Sequence, residues 1–84
     1  MNVRVYITPK KGILDPQGVT IERALPALGF AGVSGVRVGK FIELSLDADG
    51  LSAEQARAQV DEMCRKLLAN PIIEDFTFEV DEGA

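Results

Sequence analysis

Both ends of this chain carry an apolar residue at every second position, and this period restricts the fold more than any other feature of the sequence. The apolar positions are Val3, Val5 and Ile7 near the amino end and Phe76, Phe78 and Val80 near the carboxyl end. Successive side chains of a strand point to opposite faces, so each segment predicts a strand with one buried face. A second layer must cover those faces, and the sequence between the two segments predicts helices.

The first helical pattern begins at Asp15 and Pro16. Asp15 is a good N-cap because its carboxylate can accept hydrogen bonds from unpaired backbone N–H groups, and Pro16 suits the first helical position, where no N–H is needed. The predicted apolar face consists of Ile21, Ala24, Leu25 and Leu28. Pro26 interrupts the pattern, so we expect a kink or a loosening there before Gly29 ends the helix.

Residues 33–47 form another strand pattern, for which two structures compete. Its apolar positions share one parity and are Val36, Val38, Ile42, Leu44 and Leu46. A hairpin turn at Gly39 and Lys40 would place the charge of Glu43 on the buried face. A single long strand, bent or bulged at Gly39, keeps the apolar phase and is the structure that we predict. Its free end can extend beyond the sheet and pair with another subunit.

The second helix has the clearest signals in the chain. Ser52 and Gln55 have the spacing of a capping box, in which each side chain bonds to the backbone N–H of the other residue. Its predicted buried stripe consists of Ala56, Val60, Met63, Cys64 and Leu67. The ion pairs expected on its exposed face are Asp61–Arg65 and Glu62–Lys66. Asn70 and Pro71 end the helix.

The order of these segments is strand, helix, long bent strand, helix, strand. It predicts an α+β fold with an antiparallel or mixed sheet and two helices on one face, related to the ferredoxin-like arrangement. We expect one domain over residues 1–84, in which residues 81–84 are a frayed acidic tail. We also expect the domain to dimerise through its sheet.

Size and composition leave few sources of stability and few kinds of partner. A chain of 84 residues buries little more than about 60% of its unfolded surface, so its own core is marginal. The chain has one cysteine and no histidine, which leaves oligomerisation as the means of adding stability. A net charge of −4 argues against nucleic-acid binding, and no apolar run is long enough to span a membrane. The lone thiol and the lack of an export signal predict a cytoplasmic protein.

No group of residues predicts a catalytic or metal site on this chain. Cys64 lies in the apolar stripe without a histidine to activate it, so we expect a buried, inert thiol. Asp47 and Asp49 resemble the start of a calcium loop but lack its further ligands. The glycines within residues 32–39 lead into a strand, whereas a phosphate-binding loop leads into a helix.

Two basic segments are candidates for contact with a partner. Lys10 and Lys11 precede Gly12 in a predicted turn, where they serve either solubility or docking, and the residues alone do not decide between the two. Arg37 and Lys40 are candidates for contacting an acidic partner or a phosphate.

Three runs of the sequence, taken in order, carry a resemblance to a known family. They are VYITPKKGILDPQG at 5–18, VRVGKFIEL at 36–44 and MCRKLLANPIIEDF at 63–76. Together they resemble the PurS family, the small subunit of bacterial and archaeal phosphoribosylformylglycinamidine synthase. The resemblance covers nearly the whole chain, and the runs LDPQG and LLANP are specific in combination.

The resemblance implies a non-catalytic subunit of a ligase complex in de novo purine biosynthesis. In that family a glutaminase subunit releases ammonia, and a large synthetase subunit uses ATP and Mg²⁺ to convert formylglycinamide ribonucleotide to its amidine. The small subunit binds no cofactor, forms dimers or tetramers, and holds the other two subunits together for ammonia transfer. The residues implied for partner contact or backbone shape are Lys10, Lys11, Gly12, Asp15, Gln17, Gly18, Arg37, Gly39 and Lys40.

Two other kinds of function remain to be compared with this one. A small dimeric domain of this type can also sense a metabolite without any enzyme partner, and ligand-dependent thermal stabilisation would reveal that role. A stand-alone enzyme would need carboxylates for acid–base chemistry, but the sequence brings no such group together.

Overall fold

The computed structural model describes residues 1–47 and 49–81. Its elements are strand β1 (Asn2–Pro9), helix α1 (Pro16–Ala24), a 3₁₀ turn (Pro26–Leu28), strand β2 (Lys40–Ser45), helix α2 (Ala53–Met63), a π-helical turn (Cys64–Leu68) and strand β3 (Glu74–Asp81). The α+β order of the strands and helices is therefore as predicted. Asp81, the first residue of the expected frayed tail, is the last residue of β3 and pairs with Asn2, whereas residues 82–84 lie outside the described residues.

Within the described residues the sheet is antiparallel throughout and has the strand order β2-β1-β3. Val5, in the middle of β1, lies opposite Ile42 of β2 on one side and Phe78 of β3 on the other. The apolar positions of the three strands are therefore in register with one another, so their side chains share one face of the sheet. Of the antiparallel and mixed arrangements that the sequence left open, the chain adopts the antiparallel one.

The hydrophobic core lies between this apolar face and α2. Its buried residues are Val3, Val5, Ile7, Val60, Cys64 and Ala69. A fully buried valine or isoleucine contributes about 1.5–3 kcal/mol relative to an exposed one, so α2 and the sheet hold each other in place. Among residues 1–47 and 49–81 no polar or charged residue is buried, so this core has no polar group to satisfy.

Helix α2 begins with the predicted capping box. The Ser52 side chain accepts a hydrogen bond from the N–H of Gln55 at 3.1 Å, and the Gln55 side chain accepts one from the N–H of Ser52 at 2.9 Å. Both predicted ion pairs also form, each with a closest N–O distance of 2.7 Å. Water screens these exposed pairs, so the buried face and the cap hold the helix more than the ion pairs do.

The end of α2 departs from the predicted stripe because its last turn is π-helical. The N–H of Ala69 donates to the carbonyl of Cys64 at 2.9 Å, five residues back along the chain. The wider turn rotates the side chains that follow, so Leu68 packs against the core and Leu67 is 83% exposed. The prediction that Leu67 belongs to the buried stripe is therefore wrong.

Helix α1 starts where the sequence predicts, but its α-helical part ends at Ala24, before the predicted end at Gly29. Pro16 is its first residue, and the helix gives way to the 3₁₀ turn that begins at Pro26. Gly29 follows with a φ of 96°, and the N–H of Phe30 donates to the carbonyl of Leu25 at 3.1 Å, as in a Schellman ending. The loosening expected at Pro26 takes the form of a change from α-helical to 3₁₀ geometry.

The apolar face of α1 does not belong to the core. Within Pro16–Ala24 the buried residue is Gly18, whereas Ile21 of the predicted face is 43% exposed. Leu28, in the 3₁₀ turn that follows, is 71% exposed. The expectation that both helices cover the sheet is thus met by α2 alone in a single copy of the described chain, because α1 packs along the segment before β2 instead.

The predicted long strand is shorter than expected. β2 begins at Lys40, and residues 33–39 belong to no strand in the part of the chain that the structure describes. The predicted parity is nevertheless kept, because Val36 and Val38 are both half-buried. β2 pairs with β1, which rules out the alternative hairpin at Gly39 and Lys40.

Candidate functional site

The loop after β1, the start of α1 and the segment before β2 meet at one end of the sheet. They surround an open depression of about 470 Å³ that is lined by residues 10–15, Val19 and residues 35–37. We call this depression the loop surface. The predicted residues that line it are Lys10, Lys11, Gly12, Asp15 and Arg37. Folding thus joins residues from both of the basic segments that the sequence singled out.

Asp15 ties the start of α1 to the segment before β2. One of its carboxylate oxygens accepts a hydrogen bond from the N–H of Gly18 at 3.1 Å, and the other accepts one from the N–H of Val38 at 2.8 Å. Both bonds favour the charged carboxylate and lower the pKa of Asp15, with the bond from Val38 as the larger cause. Asp15 is therefore engaged in holding the backbone.

Glu22 makes the next contact along the same face of α1. Its carboxylate accepts a hydrogen bond from the N–H of Val36 at 3.0 Å, so Glu22 and Asp15 together satisfy alternate N–H groups of the segment before β2. The two acids are seven residues apart, which is about two helical turns, and the two N–H groups are one strand period apart. Glu22 was not among the predicted residues, although this pair of spacings is visible in the sequence.

Gly18 and Gly39 lie where the backbone leaves no room for a side chain. A Cβ atom at Gly18 would lie 2.5 Å from the carbonyl oxygen of Val36. A Cβ atom at Gly39 would collide with the carbonyl group of Ile7 in β1. Glycine at these two positions therefore allows the segment before β2 to approach both α1 and β1.

The basic side chains of this region differ in what they contact. Lys10 forms an ion pair with Asp75 at 2.9 Å, and the Arg37 guanidinium donates to the carbonyl of Pro9 at 3.1 Å. Lys11 is exposed and has no hydrogen bond or ion pair with the residues that the structure describes. A carbonyl carries no net charge, so this contact gives Arg37 no acidic partner, and neither Arg37 nor Lys11 forms an ion pair with the described residues.

Two other predicted residues lie outside the loop surface. Gln17 lines a separate depression on α1, next to Pro16 and Ile21. Lys40 is the first residue of β2, and its ammonium lies 3.7 Å from the carboxylate of Glu74. The structure therefore does not bring Gln17 and Lys40 together with the residues around Asp15.

Exposed apolar side chains complete the loop surface, and the sequence analysis did not single them out. Leu14 is 80% exposed, and Ile13 and Val19 are each exposed by about two fifths. The sequence does place two apolar residues, Ile13 and Leu14, directly before the N-cap. An apolar residue at that position often packs against the helix, so the pair did not indicate an exposed surface. Apolar side chains bordered by polar, solvent-accessible ones are the usual arrangement of a protein contact surface.

Neither the lone thiol nor the acidic turn supplies a second candidate site. Cys64 is buried in the core, and burial raises the pKa of its thiol. Asp47 accepts a hydrogen bond from the N–H of Asp49 at 3.1 Å, in a turn whose residue 48 lies outside the described residues. Among residues 1–47 and 49–81 no three potential metal ligands cluster, and no helix is long and apolar enough to cross a membrane.

The chain is similar to known proteins along almost its whole length. The family described as "PurS: Phosphoribosylformylglycinamidine (FGAM) synthase" matches residues 2–82. The phosphoribosylformylglycinamidine synthase subunit PurS of Synechocystis is 48% identical, over 96% of this chain and 81% of that protein. The same subunit of Bacillus subtilis is 42% identical, over 95% of this chain and 92% of that protein.

Solved structures show the same fold. Bacillus subtilis PurS superposes with a TM-score of 0.80 at 42% identity, covering 96% of this chain and 98% of that one. A chain in the structure of PurLQS from Thermotoga maritima superposes with a TM-score of 0.81 at 31% identity, covering 93% of each chain. The similarity therefore extends over the sheet, both described helices and the loop surface.

Proposed function

Because the chain belongs to the PurS family of phosphoribosylformylglycinamidine synthase subunits, we propose that it is the non-catalytic bridge of that enzyme. The enzyme acts in de novo purine biosynthesis, where it converts formylglycinamide ribonucleotide to formylglycinamidine ribonucleotide with glutamine and ATP. In this proposal the chain holds the glutaminase and synthetase subunits together so that ammonia passes between them. The similarity to enzyme subunits does not favour the metabolite-sensing alternative.

The observation that carries the non-catalytic role is the use of two carboxylates, Asp15 at the loop surface and Glu22 on α1. Asp15 accepts hydrogen bonds from the N–H groups of Gly18 in α1 and Val38 in the segment before β2. One oxygen of Glu22 accepts a hydrogen bond from the N–H of Val36 in that segment. A general acid or base needs a carboxylate that can reach a substrate proton, and these two are engaged within the fold. The arrangement supports a shaped contact surface in preference to a reaction site.

The relation to PurLQS supports the choice of partners. The chain shares its fold with one chain of that assembly over nearly its full length. We therefore expect a large synthetase subunit and a glutaminase subunit as partners. We expect the synthetase subunit to be the one that uses ATP and Mg²⁺. This chain supplies backbone shape and contact residues to the assembly.

The uncovered apolar faces support self-association as a dimer or tetramer. Ile21 and Leu28 leave the apolar side of α1 open, and an apolar groove of about 590 Å³ runs between α2 and β2 past Leu44, Met63 and Leu67. Covering such faces stabilises a chain of this size, whose own core is small. We propose that a second copy covers them.

Reconstitution of the three subunits tests the bridging role. We expect glutamine-dependent synthesis to fall when this chain is omitted, because ammonia released by the glutaminase then escapes into solution. Ammonia-dependent synthesis by the synthetase alone should survive the omission better. Equal glutamine-dependent activity with and without the chain would reject the proposal.

A further inference from the structure

We infer that the loop surface binds an acidic segment of a partner subunit, which also places an apolar side chain against Leu14. The inference rests on the proposed bridging role and adds the chemistry of one contact within it. Lys11 and Arg37 face the carboxylates of that segment, and the exposed side chains of Ile13 and Leu14 take the apolar one.

The charge at the loop surface is opposite in sign to that of the whole chain. The net charge of the chain is −4, yet the charged residues that line this depression are Lys10, Lys11, Arg37 and a single carboxylate, Asp15. Asp15 directs both oxygens at backbone N–H groups, and Lys10 is paired with Asp75. Lys11 and Arg37 remain to attract an acidic partner, and a positive patch on an acidic protein orients such a partner during approach.

The apolar part of the surface argues for a protein segment over a free anion. Leu14 and Ile13 are exposed beside Lys11 on the same short loop. A phosphate gains nothing from apolar side chains, whereas a peptide removes them from water at roughly 25 cal/mol per Å² buried. Single exposed leucines are ordinary, but here the leucine lies within a depression that already carries uncompensated charge.

The loop is held in one shape before any partner arrives. Gly12 has a φ of 86°, and the N–H of Ile13 donates to the carbonyl of Lys10 at 3.2 Å, which closes the turn after β1. Arg37 is tied to the same region through the carbonyl of Pro9 at 3.1 Å. A contact surface fixed in this way loses little conformational entropy on binding, so less of the contact free energy is offset.

The test measures binding of the full-length chain to each isolated partner subunit and to the two together, from about 50 to about 300 mM NaCl. We expect Lys11→Glu to raise the Kd about tenfold at low salt and to flatten its salt dependence, because the steering charge is reversed. Lys11→Arg should restore wild-type binding. Leu14→Ala should raise the Kd about fivefold at every salt concentration, since it removes apolar contact.

Arg23→Glu is the matched control. Arg23 is an exposed cation on α1 that does not line the loop surface, and its reversal changes the net charge by the same amount. We expect its Kd to stay within about twofold of the wild type. Circular dichroism of every variant checks that the fold is retained.

Each other outcome separates this inference from the proposed function. If the wild type binds no partner subunit, the bridging proposal itself fails. If the wild type binds but Lys11→Glu and Arg23→Glu behave alike, the bridge stands and this contact is overturned. The contact is also overturned if Lys11→Glu disperses the homo-oligomer while leaving partner affinity unchanged, or if inorganic phosphate competes far better than chloride at matched ionic strength.

Discussion

At the scale of single residues, Asp15 shows which contacts a local sequence can reveal. Its role as N-cap is visible in the sequence because the acceptor and its N–H donor are three residues apart. Its second bond reaches Val38, which lies 23 residues away, and no local pattern announces it. The sequence could therefore place Asp15 in the candidate site but could not state what the residue holds together.

We expect Asp15 to make the stability of the protein depend on pH in the acidic range. The fold lowers the pKa of this carboxyl, so its contribution is fully present above the unfolded value of about 3.9 and is lost as the pH falls through the lower folded value. Thermal unfolding of the wild type and of Asp15→Asn, followed from neutral pH downward, measures this. The variant should melt lower at neutral pH and should lose less stability on acidification, and parallel curves would contradict the assignment.

We expect Gly39→Ala to destabilise the folded chain. The added Cβ meets the carbonyl group of Ile7, which is backbone and cannot rotate away, so β1 and the segment before β2 must separate. Overpacking of this kind costs about 1–3 kcal/mol, and urea unfolding measures it. Ala27→Gly is a comparison at an exposed position of the 3₁₀ turn, where no such collision is relieved or created. Unchanged stability of Gly39→Ala would mean that this close approach is not maintained in solution.

At the scale of elements, the sequence predicted best those features that depend on neighbouring residues. The capping box of α2 and the glycine ending at Gly29 formed as expected because each is completed within a few residues. The π-helical turn was missed because an i to i+5 bond differs from an ordinary one only in how the following residues pack on the sheet. The position of Leu68 in the core is thus a tertiary property.

We expect the two adjacent leucines of this turn to differ sharply in their effect on folding. Leu68 packs against the core, so Leu68→Ala should lower the free energy of unfolding by about 1–3 kcal/mol, less than at a fully buried site. Leu67 is exposed, so Leu67→Ala should change it by less than about 0.5 kcal/mol. Chemical denaturation at low protein concentration measures both, with each variant as the control for the other. Equal losses would show that the turn is an ordinary α-helical one in solution.

At the scale of the whole molecule, a single copy is more extended than its length requires. Its principal extents are 54 × 28 × 15 Å and its radius of gyration is 16.5 Å. A compact domain of this length has a radius of gyration of about 12 Å. The helical period of α1 showed which of its sides is apolar, but periodicity does not specify the surface that covers that side. The arrangement of α1 relative to the core was therefore beyond the sequence.

We expect Ile21→Asp to shift the protein toward the monomer. Ile21 is exposed in a single copy, so the change should leave the fold intact while placing a charge on the face that a second copy is proposed to cover. Light scattering coupled to size exclusion measures the mass over a range of concentrations. Arg23→Asp is the control, because Arg23 projects from the other side of α1. An unchanged mass for Ile21→Asp would exclude this face from self-association.

The position of β1 in the middle of the sheet also has a consequence for the order of events during synthesis. β1 is made first, but its partner β3 is made last, and Asn2 finds its place beside Asp81. β2 is made midway through synthesis and can pair with one edge of β1, but the other edge of β1 stays unpaired until β3 has been made. Long-range pairing of this kind slows folding, and an unpaired strand edge is prone to pair with other chains in the meantime.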